Sequence, residues 1–118
     1  MKNLIISLCI ISFLGCHTLP DRKSTDIVRR TISVGDTLIY SLGSFHQSER
    51  ALIHKQARHA AISTLDQDSS NMEIFYYYVP LPNYSGEDFV EMHALRADDE
   101  NPGSSHTIIT EMTVVVNE

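Results

Sequence analysis

No tryptophan occurs anywhere in the chain, and its two cysteines, Cys9 and Cys16, both fall within the first sixteen residues. Downstream of Cys16 no thiol remains for a disulfide, a thiolate nucleophile or a zinc–thiolate site. A fold there must be held by aliphatic and tyrosine packing. Basic charge is scarce as well, with 9 Lys and Arg against 15 Asp and Glu. An acidic surface argues against nucleic acid and against adsorption to anionic lipid. The sequence contains no phosphate loop, no serine-hydrolase elbow, and no H-x-H or H-E-x-x-H spacing among its six histidines. These gaps point away from an enzyme. Long apolar runs are missing too: the one run, residues 4–14, is too short to cross a bilayer stably.

That short run is still informative. Met1-Lys2-Asn3 precedes it with one positive charge, and Phe13-Leu14-Gly15-Cys16 closes it with a small residue before a cysteine. Charge, short apolar stretch and small-residue cut make a secretory leader. The cysteine at the cut makes it resemble a bacterial lipoprotein signal, although Phe13 stands where that signal usually has Leu. The competing reading is an ordinary signal peptide with Cys16 as an ordinary residue. The resemblance implies a leader over 1–15, acylation at Cys16 and attachment to the envelope. His17 stands where an Asp would favour the inner membrane, which implies the outer membrane. Each buried acyl methylene contributes about 0.8 kcal/mol, so several chains on one cysteine anchor durably. Residues 16–26 are polar, as in a flexible tether, and residues 27–118 are enough for one small domain.

From Ile27 onward the chain reads as short strands separated by turn residues. Val28, Ile32 and Val34 share a face of residues 26–34, and Gly35-Asp36 is a turn pair. Leu38, Tyr40 and Leu42 alternate before Gly43-Ser44. Ile74, Tyr76 and Tyr78 alternate with Phe75, Tyr77 and Val79, a strand apolar on both faces. Pro80 and Pro82 exclude residues 80–86 from a central strand, because proline lacks the ladder donor. Val90, Met92 and Ala94 mark a further strand. Ile108, Met112, Val114 and Val116 mark the last, after an acidic loop at 97–105. Residues 48–65 fit two descriptions. Their helix propensity is high and Ser48 is a plausible cap. Alternatively they make two strands with a turn near Ala57-Arg58, Ala61, Ser63 and Leu65 sharing a face.

Residues 78–89, Tyr-Val-Pro-Leu-Pro-Asn-Tyr-Ser-Gly-Glu-Asp-Phe, resemble the signature of bacterial Ig-like, cadherin-like repeat domains: a strand ending in Tyr-x-Pro, a loop with an aromatic and Gly-x-Asp, then a strand opening on an aromatic. Val34-Gly35-Asp36-Thr37-Leu38 resembles that family's opening strand pair. Residues 51–60 resemble its Gln-Pro-x-x-Gly hairpin, with Ala57 and Ala60 in place of the Pro and Gly. Phe89 comes one position early, so either the strand shifts or Val90 takes the core place and Phe89 points out. The resemblance spans about residues 32–117 and implies an all-β, Ig-like antiparallel sandwich of about seven strands. It implies scaffold roles for Pro80, Tyr84, Gly86 and Asp88, with Asp88 accepting backbone N–H bonds in the loop that follows Pro80 and carries the chain to the other sheet.

Candidate chemistry is sparse. Asp66 and Asp68, with Asp98 and Asp99, sit in oxygen-rich stretches that could offer calcium ligands, though no EF-hand spacing is present. If Ile74, Tyr76 and Tyr78 face the core, Phe75 and Tyr77 stand outward, and with Phe89 they are candidate contact residues. The resulting expectation is a lipid-anchored, non-catalytic envelope module with no required cofactor that binds a protein or glycan. Alternatives are an envelope inhibitor that neutralises an enzyme or toxin, a calcium-dependent adhesive module, and a histidine-based metal binder. Mass spectrometry of the protein recovered from bacterial membranes should find acyl mass on Cys16, and Cys16→Ala should move the chain to the soluble fraction. A mature N-terminus without acyl mass would contradict the leader reading.

Overall fold

A computed structural model describes residues 22–98 and 103–118, all strand, turn or loop, with no helix among them. Cys16 and Asp99 lie outside the described residues. The strands are β1 (Arg22–Ser33), β2 (Leu38–Ser44), β3 (Arg50–Lys55), β4 (Ala60–Gln67), β5 (Glu73–Pro80), β6 (Gly86–Ala97) and β7 (Ser105–Asn117). They form two sheets packed face to face, one ordered β1-β7-β6-β3 and the other β2-β5-β4. The protein is a seven-stranded β-sandwich. All pairings are antiparallel except β1 with β7, which run parallel.

Period-two alternation builds the core. Tyr76 and Tyr78 from β5 meet Val90 and Met92 from β6 and Met112, Val114 and Val116 from β7, with Leu38 closing the cluster. Both tyrosine hydroxyls find partners inside. Tyr76 shares a 2.6 Å hydrogen bond with Ser63, and Tyr78 donates to Asp88 at 2.8 Å. Burial pushes the Tyr76 phenol up to about 12. The Tyr78 phenol is raised further, by burial and by the Asp88 carboxylate.

Residues 48–65 are neither a helix nor a paired hairpin. β3 pairs with β6 in one sheet and β4 with β5 in the other. The turn at residues 56–59 is therefore a corner between layers. Asp88, the first inward residue of β6 and only 4% exposed, holds that corner. Its carboxylate accepts from the amides of Arg58 at 3.0 Å and His59 at 2.9 Å, and from the Phe89 amide at 3.0 Å, besides Tyr78. Burial alone would raise its pKa, but these four donors outweigh it and leave the carboxyl below its ordinary value.

The opposite end has a cationic counterpart, also on the inner face of β6. Arg96 donates to the carbonyls of Ser44 at 2.6 Å and Leu42 at 2.7 Å. Its guanidinium lies 3.6 Å from the Phe45 ring centroid and 3.6 Å from Glu49. A bulge in β2 at Gly43, with φ of 93°, turns the chain so that Phe45 drops into the sandwich end. A β-carbon on Gly43 would meet Arg96 Nη2 at 3.0 Å.

Two boundaries differ from the sequence expectation. β1 begins at Arg22, so residues 22–26, assigned to the tether, pair with β7 from His106 to Thr110. They are solvent-exposed and only weakly apolar, which is why composition reads them as linker. A bulge between Ala60 and Ile62 shifts the start of β4, so Ala61 leaves the inward set and Ile62 stands 49% exposed.

Asp88→Asn should cost about 3 kcal/mol in urea unfolding, because it leaves buried donors facing an amide. Acid should act in the same direction. A carboxyl whose folded pKa lies below its unfolded value, about 3.9, stabilises above that pH and loses the contribution as pH falls through the folded value.

Candidate functional site

The two outer faces differ in chemistry. On the three-stranded sheet, β5 buries Ile74, Tyr76 and Tyr78 and turns Phe75, Tyr77 and Val79 outward, as the alternation predicts. Register places Ile39 beside Tyr77 and Ile62 beside Val79. Ile39 is 57% exposed, and the Phe75 and Tyr77 rings lie tilted with centroids 6.3 Å apart. An apolar strip thus crosses all three strands. A shallow hollow of about 510 Å³ opens beside Tyr77, between Thr37, Ile62, Thr64 and Val79.

Phe89 is not part of that strip. Val90 fills the core with no exposure, so Phe89 points outward from β6, in the other sheet, with 42% exposure. The loop at residues 81–85 carries the chain between layers, and the alternation then sends Phe89 to the opposite surface. There it forms one wall of an open cleft of about 620 Å³ with Lys55, Arg58, His59 and Glu87. His59 stacks on Tyr84 at 4.2 Å, closing the sandwich end beside it.

The acidic candidates are dispersed. Asp66 lies on β4 opposite Phe75. Asp68 caps its own turn, accepting from the Ser70 amide and hydroxyl, bonds that hold its carboxyl below the usual range. Asp98 follows β6, 3.7 Å from Arg22, and accepts from Ser104. Among the described residues these carboxylates form no three-ligand group.

A different group does converge, on the outer face of the four-stranded sheet. His54 from β3 and Glu91 and His93 from β6 bring their ligand atoms within 4.8 Å of one another. His93 Nε2 lies 2.8 Å from Glu91 Oε2, and His54 Nε2 lies 3.7 Å from the same oxygen. The two imidazoles stack at 4.3 Å with planes 16° apart. The His93 hydrogen bond is the main cause that lowers the Glu91 carboxyl below its ordinary value; partial burial opposes it, and Lys55 and His54 add to it. The signal for half of this group is in the sequence, since Glu91-x-His93 shares one face of a strand. The other half needs the β3–β6 register and its bulge between Ile53 and Lys55.

No protein-family model matches the chain, and neither does any curated protein. Function therefore rests on the chemistry of the two faces. Because Phe75 and Tyr77 face outward, Phe75→Ser/Tyr77→Ser should lower stability by only about 1–2 kcal/mol in urea unfolding. Tyr76→Ser, which empties the core, should cost more than about 3 kcal/mol.

Proposed function

We propose that the chain is a lipid-anchored, non-catalytic module of the bacterial envelope that binds a protein partner through the outer face of its three-stranded sheet. The observation that carries this reading is the continuous apolar strip of Ile39, Tyr77, Phe75, Val79 and Ile62. A sheet whose inner face already supplies the core gains nothing from a second apolar face in water. Such patches mark contact surfaces in soluble domains. The mixture of aliphatic and aromatic side chains suits a protein surface.

The order of strands supports the Ig-like part of the reading. An immunoglobulin constant domain places its strands as ABED and CFG. Here the second, fifth and fourth strands form one sheet and the third, sixth and seventh the other, with the first moved beside the last. Asp88 accepts backbone amides, as the Gly-x-Asp resemblance implies, but in the β3–β4 corner rather than in its own loop. The anchor reading adds an orientation. Five residues separate Cys16 from Arg22, so a lipid on Cys16 can sit at most about 20 Å from the start of β1. The sandwich end carrying Arg22 and Asp98 then faces the bilayer, and the end carrying Asp88 and the Phe89 cleft faces away.

Immobilised wild-type protein should retain one protein from detergent-solubilised envelope, and Phe75→Ser/Tyr77→Ser should lose it while keeping the wild-type circular dichroism spectrum. Retention of the same protein by the folded double variant would remove the strip as the contact face.

A further inference from the structure

We propose that His54, Glu91 and His93 form a binding site for a single zinc-class divalent transition-metal ion on the outer face of the four-stranded sheet. The site is separate from the apolar strip and lies on the opposite surface of the sandwich.

Three observations carry it. The first is the ligand set and its spacing. Two imidazoles and one carboxylate are a donor set that Zn²⁺ takes, with water as fourth ligand. Ligand atoms about 2.0–2.2 Å from a tetrahedral ion lie about 3.3–3.6 Å from each other. The separations of 2.8 Å and 3.7 Å between the Nε2 atoms and Glu91 Oε2 bracket that value. An imidazole-rich site with one carboxylate does not suit calcium or magnesium, which require several oxygens.

The second observation is the backbone that holds the ligands. Glu91 and His93 are two apart on β6, hence on one face, and Leu52 and Lys55 of β3 pair with His93 and Glu91. The β3 bulge between Ile53 and Lys55 places His54 over His93. Sheet-borne ligands are held more precisely than loop-borne ones. The Glu91 side chain is 11% exposed and that of His93 23%, whereas that of His54 is 52% exposed. Glu91 and His93 are therefore the fixed pair, and His54 is the ligand with room to turn. Turning is required. The near-parallel rings set their Nε2 atoms side by side, and His54 must tilt to converge on one ion. In that state the ion takes the place of the proton between His93 Nε2 and Glu91, and that proton passes to Nδ1 through solvent.

The third observation is a like-charge pair. On β7, Glu111 lies directly opposite Glu91 in register. Like charges so placed destabilise a sheet. Lys55, paired with Glu91 across β3 and β6, offsets part of that repulsion. A dication held by Glu91 relieves the repulsion.

The test is calorimetric titration of the purified full chain in detergent with zinc chloride, repeated with cobalt(II) read by its visible absorption. One equivalent should bind. His54→Ala, His93→Ala and Glu91→Gln should each weaken binding at least tenfold, while His46→Ala/His106→Ala leaves it unchanged. His54→Ala removes a half-exposed ring, and its circular dichroism should match wild type, so it decides the matter even if a β6 variant misfolds. No binding at millimolar zinc, or one-equivalent binding that survives His54→Ala/His93→Ala, would overturn the proposal. The second result would place the metal on other donors.

Discussion

A buried carboxylate is the constraint on which the sandwich depends. The chain passes from one sheet to the other between β3 and β4 through a corner whose amides have no strand to pair with. Arg58 and His59 would lose their hydrogen bonds to water as the layers close. Asp88 supplies both acceptors, takes the Phe89 amide, and takes the Tyr78 hydroxyl that would otherwise be stranded in the core. One ionised group thus satisfies donors on β5, β6 and the β3–β4 corner at once. Burial of an ion is costly, and only this number of short hydrogen bonds makes it favourable. Arg96 repeats the logic with opposite sign at the far end of the same strand, where the β2 bulge and Phe45 close the layers. β6 therefore pins both ends of the fold from within.

With both ends fixed by interior groups, the outer faces are free to differ. The three-stranded sheet presents aliphatic and aromatic side chains. The four-stranded sheet presents histidine, carboxylate and lysine around the His54–Glu91–His93 group, with the Phe89 cleft at one end. The two surfaces share no residue, so a partner seated on the apolar strip and an ion held by the imidazoles do not compete for the same atoms. Because Glu91, His93 and Phe89 lie on the strand that also carries Asp88 and Arg96, their outward positions are set by the inward anchors.

Much of this arrangement was legible before any coordinates. Strict alternation in residues 74–79 marked β5 and its two apolar faces. The signature around Pro80, Gly86 and Asp88 implied an acid accepting backbone amides, though in its own loop and not in the β3–β4 corner where Arg58 and His59 donate. Other features were hidden for physical reasons. Alternation reveals which residues point together, but not which strand lies beside which. Residues 48–65 could therefore be divided into strands, yet not assigned to separate sheets. Bulges break parity, so Ala61, grouped with Ser63 and Leu65 by alternation, stands exposed, and no alternation marks Phe45, which is core. His54 joins Glu91 and His93 only through cross-strand register. Residues 22–26 read as tether because an exposed edge strand needs no apolar pattern.

Amide hydrogen exchange measures the central claim most directly. The amides of Arg58 and His59 lie in a corner outside any strand ladder, and ordinary loop amides there exchange rapidly. If Asp88 holds the corner as described, both exchange at neutral pH nearly as slowly as core amides such as those of Tyr76 and Val90. Rapid exchange at Arg58 and His59, with the core strands still protected, would contradict the account.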